Sequence, residues 1–147
     1  MDFRGATPAD VPELFRIRTS VTENHQSERE LAALGVTRES VLQMLGSGQA
    51  RAWCAVEGGA MVGFSMARRS ERDVFALFVL PEFEGRGIGS TLLNHAVAWL
   101  QQEGAGPIRL STARQTRAHA LYLSRGWREV GEQDDGDPIL EIQPPTI

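Results

Sequence analysis

Gly85, Gly87 and Gly89 alternate in "VLPEFEGRGIGS", residues 79–90, between the apolar run "VFALFVL" and the apolar, helically spaced "STLLNHAVAWL". A strand that runs through glycines into a helix start presents unbonded backbone N–H groups and the positive end of the helix dipole. Glycine lets a ligand atom reach the backbone itself. The chemistry this suits is anion binding: a phosphate, above all a pyrophosphate, with Arg86 adding charge. A second stretch, "TRAHALYLSRGW" at residues 116–127, carries Tyr122, the one tyrosine of the chain. A phenol with an ordinary pKa near 10 is protonated at neutral pH and can donate.

Other chemistries are excluded by residue type. All 15 basic residues are arginine, so a Walker A loop, which needs its lysine, is out. The G-x-G-x-x-G dinucleotide fingerprint fails because Ser90 stands at its third glycine, and the stretch does not follow the first strand of a βαβ unit. Cys54 is the single cysteine, which removes disulfide frameworks and cysteine-built zinc sites. His25, His95 and His119 have no metal-ligand spacing, and no metal is expected. Ser111 and Thr112 have no paired His/Asp signature. A net charge of −4 gives no reason to expect nucleic acid. No leader and no long apolar run is read, so a cytoplasmic protein without membrane contact is expected.

The elements that position these residues follow from pattern. With 147 residues, one domain over 1–147 with a real core is expected. Residues 2–6 read as a strand, and Thr7-Pro8-Ala9-Asp10 as a helix start. Val11, Leu14 and Phe15 follow at helical spacing, with Arg18 the polar break. "TENHQSERELAALGV" reads as a loop or broken helix, and Thr37 caps a second helix. "ARAWCAVE" and "AMVGFSMAR" form a hairpin across Gly58 and Gly59. "RDVFALFVL" is a central strand, covered on both faces. A helix over 89–103, the strand "IRLST", a helix over 116–124 and a last hairpin complete a mixed α/β domain.

Two motifs and this order resemble the GNAT superfamily, the GCN5-related N-acetyltransferases. The family's Q/R-x-x-G-x-G/A loop reads here Glu84-Gly85-Arg86-Gly87-Ile88-Gly89, and its A-x-x-[LF]-Y-x-x-x-G-[FW] segment reads from Ala118 through Tyr122 to Gly126 and Trp127. The opening "FRGATPADVPELFRIR" is similar too, and the resemblance spans residues 3–143. Glu84 departs from the family's glutamine or arginine, and places a carboxylate near the expected pyrophosphate.

The resemblance implies a GNAT-type fold whose mostly antiparallel sheet splays between strands 4 and 5, and transfer of acetyl from acetyl-CoA to a primary amine. It assigns Gly85, Arg86, Gly87, Ile88, Gly89 and Ser90 to the CoA pyrophosphate. Main-chain groups of Phe78, Val79 and Leu80 go to the pantetheine arm, beside a bulge in their strand; from the residues themselves, Ser111 and Thr112 suit polar contact with the pantetheine or acceptor, and Arg117 and Arg125, on the Tyr122 helix, can reach CoA phosphates. Tyr122 becomes the general acid for the leaving thiolate. The base is left among Asp73, Glu23 and water: Asp73 lies six residues before Val79, so simple alternation puts both on one face. Expected partners are acetyl-CoA and a small amine, cationic if Glu23, Glu28 and Glu30 face it, with a homodimer left open. The rival expectation is a CoA-binding sensor without turnover.

Overall fold

The computed structural model describes residues 1–22 and 25–143. The elements run β1 (Asp2–Gly5), α1 (Val11–Arg18), α2 (Glu28–Ala33), α3 (Arg38–Gly46), β2 (Ala50–Glu57), β3 (Ala60–Arg68), β4 (Asp73–Val79), α4 (Ile88–Glu103), β5 (Ile108–Ser111), α5 (Arg117–Ser124), β6 (Arg128–Glu132) and β7 (Pro138–Ile142). The segment read as a loop or broken helix holds α2. Its start is an S-x-x-E capping box: Ser27 Oγ accepts from the Glu30 N–H and the Glu30 carboxylate accepts from the Ser27 N–H, both at 3.1 Å.

The sheet has seven strands in the order β1-β2-β3-β4-β5-β7-β6. Every neighbouring pair is antiparallel except β4 and β5. Helices cover both faces. α1, α2 and α3 bury Val11, Leu14, Ile17, Leu31 and Val41 against Ala52, Cys54, Phe64 and Met66. On the other face α4 buries Leu92, Ala96 and Leu100 against Val62, Val74 and Ile108. Each Val, Leu or Ile among them contributes about 1.5–3 kcal/mol by leaving water. No helix among the described residues is long and apolar enough to cross a membrane.

Two irregularities make the site. Ala67 pairs with Val74 but Met66 pairs with Ala76, so Phe75 is an extra residue in β4. Then β4 meets β5 only at Asp73 and Arg109, where the Arg109 N–H donates to the Arg72 carbonyl at 3.1 Å. Beyond that point the two strands part, as the resemblance leads one to expect.

Candidate active site

The part of the sheet where β4 leaves β5 opens into a cavity of about 760 Å³. It is walled by α1 to α3 on one side, by β3 and β4, and by the start of α4 and by α5 on the other.

At its α4 end lies the glycine loop. A short 3₁₀ turn, Pro81–Phe83, ends β4, and α4 starts at Ile88 with Gly87 as its cap. Gly85 and Gly87 hold φ of 79° and 80°, the left-handed region that favours glycine. A Cβ on Gly87 would meet no protein atom within 4 Å, so backbone conformation and not internal crowding calls for glycine there. Among the described residues, no protein acceptor bonds the N–H groups of Gly85, Arg86, Gly87, Ile88, Gly89 or Ser90, and the first bond of the helix is Thr91 N–H to Gly87 O at 3.1 Å. Unbonded amides at a helix N-terminus are donors of the kind that can hold an anion.

Gly85, Gly87, Ile88, Gly89 and Ser90 line the cavity, and so do Phe78, Val79, Thr112 and Tyr122. The other expected residues are placed differently. Leu80 does not line the cavity; its N–H donates to Val62 O and its carbonyl accepts from the Phe83 N–H, both at 2.9 Å. The Arg86 guanidinium turns along the surface, 5.0 Å from the centroid of the Phe83 ring and 3.5 Å from Glu57 Oε2. Arg125, at the end of α5, borders a separate shallow groove beside Leu93 and Trp127. Of the two arginines on the Tyr122 helix, it is Arg117 that lines the cavity, with its Nε 3.0 Å from Glu84 Oε2. The carboxylate that departs from the family pattern is thereby paired with an arginine from α5.

Asp73 corrects a sequence expectation. Because Phe75 is inserted, Val74, Leu77 and Val79 face α4 while Phe75, Ala76 and Phe78 face α1 to α3. The alternation reverses at the bulge, so Asp73 and Val79 point to opposite faces. Asp73 accepts from Arg68 Nε at 3.0 Å and from Arg68 Nη2, and it does not line the cavity. That bond holds the Arg68 guanidinium above its ordinary pKa. Glu23 lies outside the described residues. Glu28 pairs with Arg38 at 2.9 Å and Glu30 closes the α2 cap, so neither faces the cavity. Ser111 Oγ donates to Pro138 O at 3.0 Å.

Tyr122 is 4% exposed, with its ring 5.7 Å from that of Trp127. No hydrogen bond joins its hydroxyl to another described residue, and no described buried polar side-chain atom lacks a partner, so the hydroxyl looks into the cavity. Burial pushes the phenol well above its ordinary pKa, so it is a proton donor throughout the neutral range. No cluster of metal-ligating side chains is present among the described residues.

Residues 11–127 match the acetyltransferase (GNAT) family model. The chain belongs to the GNAT family. Its alignment with the N-acetylaspartate synthetase of Danio rerio is 33% identical over 88 residues, 56% of this chain and 31% of that protein. With the [ribosomal protein bS18]-alanine N-acetyltransferase of Haemophilus influenzae it is 27% identical over 77 residues, 51% of this chain and 53% of that one. The chain thus spans about a third and about a half of these two relatives. The GNAT fold extends further: the PaiA N-acetyltransferase of Thermoplasma acidophilum, solved in complex with coenzyme A, superposes with a TM-score of 0.76 at 18% identity, over 97% of this chain and 98% of that one.

Proposed function

We propose that this GNAT protein is an acetyl-CoA-dependent N-acetyltransferase that acetylates a small primary amine. The observation that carries the reading is the row of unbonded amides at the start of α4, opening into the cleft between β4 and β5. Bound there, acetyl-CoA supplies an activated acetyl group as its thioester. The amides from Gly85 to Ser90 hold the pyrophosphate, with Arg117 beside them, paired with Glu84. The β4 edge at Phe78 and Val79, paired with β3 but left without a partner on the β5 side, offers main-chain groups to the pantetheine arm, and Thr112 a hydroxyl across the gap. Tyr122 carries the proton that the departing sulfur takes up. The attacking amine releases its own proton to water, because Asp73 is committed to Arg68 on the other side of β4.

The two named relatives support an amine acceptor, since one makes N-acetylaspartate and the other acetylates an alanine of a ribosomal protein. The test is free-thiol release from acetyl-CoA with a panel of amines, alongside calorimetry of the cofactor. Transfer requires thiol release that depends on the amine. A sensor binds acetyl-CoA and releases none. Gly87→Val abolishes acetyl-CoA binding with a modest loss of melting temperature, because valine resists the positive φ and its branched side chain occupies the cradle. Unchanged affinity in that variant removes the cradle from the mechanism.

A further inference from the structure

We infer, resting on the transferase reading above, that Arg72 is a positioning residue: its side chain sets the angle at which β4 and β5 part, and with it the fit of the gap to the pantetheine arm. Arg72 ends the turn between β3 and β4 and does not line the cavity. Its φ of 50° lies in the left-handed region, which a bulky side chain enters only where the surrounding structure holds it. What holds it is a fan of hydrogen bonds. Nη1 donates to Leu100 O at 2.8 Å, Nη2 to Gly106 O at 2.9 Å and Nε to Pro107 O at 3.3 Å. The first acceptor belongs to the last turn of α4, whose final carbonyls have no partner within the helix and whose dipole favours a cation. The other two lie in the loop that leads into β5. The main-chain carbonyl of Arg72 takes the Arg109 N–H at 3.1 Å, beside the single β4–β5 pairing. One residue thus joins β4, β5 and α4 at the point where they begin to diverge. Gly104 belongs to the arrangement: a Cβ there would stand 3.3 Å from Nη1, so the guanidinium fits closely only against a glycine.

The consequence is mechanical. Apolar packing of Val74 and Ile108 beneath α4 keeps the layers together, but it is non-directional and leaves the angle between the strands free to adjust. The directional bonds at the apex fix that angle. The lever is long, because Val79 lies six residues from Asp73, about 20 Å along an extended strand. A rotation of roughly 3° at the apex therefore moves the Val79 edge by about 1 Å, enough to misplace a bound arm. The amides of Gly85 to Ser90 keep their shape whatever the angle, since neighbours in sequence build them. Loss of the Arg72 fork is therefore felt by the pantetheine arm and not by the pyrophosphate.

The experiment measures by calorimetry the affinities of acetyl-CoA and of ADP, which carries a pyrophosphate and no pantetheine arm. The proteins are wild type, Arg72→Asn, Arg72→Lys, Gly104→Ala and Arg69→Gln. Asparagine tolerates the left-handed backbone, so Arg72→Asn removes the fork and keeps the turn. It is expected to bind acetyl-CoA about tenfold more weakly, with ADP affinity changed by less than about twofold. Arg72→Lys, which keeps the charge without the fork, and Gly104→Ala, which displaces the guanidinium, both fall between wild type and Arg72→Asn. Arg69→Gln breaks the Arg69–Glu103 ion pair in the same corner and leaves the ratio of the two affinities at its wild-type value. A purely structural Arg72 lowers the melting temperature and moves both ligands together or neither; either result overturns the assignment. So does wild-type protein that binds acetyl-CoA no more tightly than ADP, because the gap then holds no arm. Should Arg72→Asn not fold, Arg72→Lys and Gly104→Ala decide. The transferase reading fails separately: if no amine releases thiol while the affinity ratio shifts as stated, Arg72 sets the gap of a CoA-binding protein without turnover. Wild-type protein that binds no acetyl-CoA overturns both.

Discussion

Tyr122→Phe separates chemistry from packing because the hydroxyl joins no other described residue. The ring keeps its contact with Trp127 at 5.7 Å, and the lost atom leaves no partner unsatisfied, so the melting temperature should move little. The effect falls on turnover. An alkyl thiolate is a poor leaving group, and a positioned general acid contributes about 10²–10⁴-fold. Water reaching the cleft replaces part of this, so kcat should fall roughly 10- to 1,000-fold. Acetyl-CoA affinity should change by no more than about 1 kcal/mol, one hydroxyl contact. The assay is steady-state thiol release, with calorimetry for the cofactor. Stability supplies a second readout. The phenol's folded pKa is raised above its ordinary 10.0 by burial. Its contribution is therefore fully present below pH 10 and is lost as the pH rises further, by about 1.4 kcal/mol per unit, since only the unfolded chain has yet released the proton. The chain has no lysine to titrate in that window, and buried Cys54, also raised, adds its own slope in both proteins. The alkaline loss of stability should thus be steeper in the wild type than in Tyr122→Phe. A kcat within twofold of wild type refutes the general-acid role, and equal alkaline slopes refute the buried phenol.

Glu84→Gln removes a carboxylate beside the amide cradle and releases Arg117 from its 3.0 Å ion pair, so acetyl-CoA should bind as well or up to about 1 kcal/mol more tightly; a tenfold loss by calorimetry would mean that Glu84 positions Arg117. Asp10, which joins the start of α1 to Arg4 of β1 at 2.9 Å, is held at about 2, chiefly by its hydrogen bond from Arg4. Its folded pKa is lowered, so its stabilisation is whole above the ordinary 3.8 and is lost as the pH falls toward 2. With Arg4 half exposed, Asp10→Asn should cost about 1 kcal/mol in urea denaturation at pH 7 and nothing near pH 2.

Much of the site is legible in contiguous residues. The glycine loop, the start of α4 and the Tyr122 segment depend on backbone conformation and helix initiation, which neighbours in sequence control. Even helix α2, in the segment read as a loop or broken helix, announces itself, since Ser27 and Glu30 form a capping box readable as S-x-x-E. Arg18 was visible only as a polar interruption of an apolar helix face. That such a break lines a cavity depends on what is packed opposite.

The sequence by itself determined the mixed α/β order of elements, the glycine turn that starts α4 and the single tyrosine on α5, because each is a local property of residue type and spacing. Tertiary structure alone decided how these are wired. Simple alternation put Asp73 beside Val79; the extra residue Phe75 reversed the faces, and the register of β3 against β4, not the β4 sequence, sets where that residue is accommodated. Glu84 looked like a charge against the cofactor until α5 brought Arg117 to within 3.0 Å. Arg125, one helix turn beyond Tyr122, faces a different groove, and Arg18 enters the cavity from the far layer to stack on Phe78. Charges act through space, and their partners come from elements distant in the chain, so their roles are fixed only once the layers have closed.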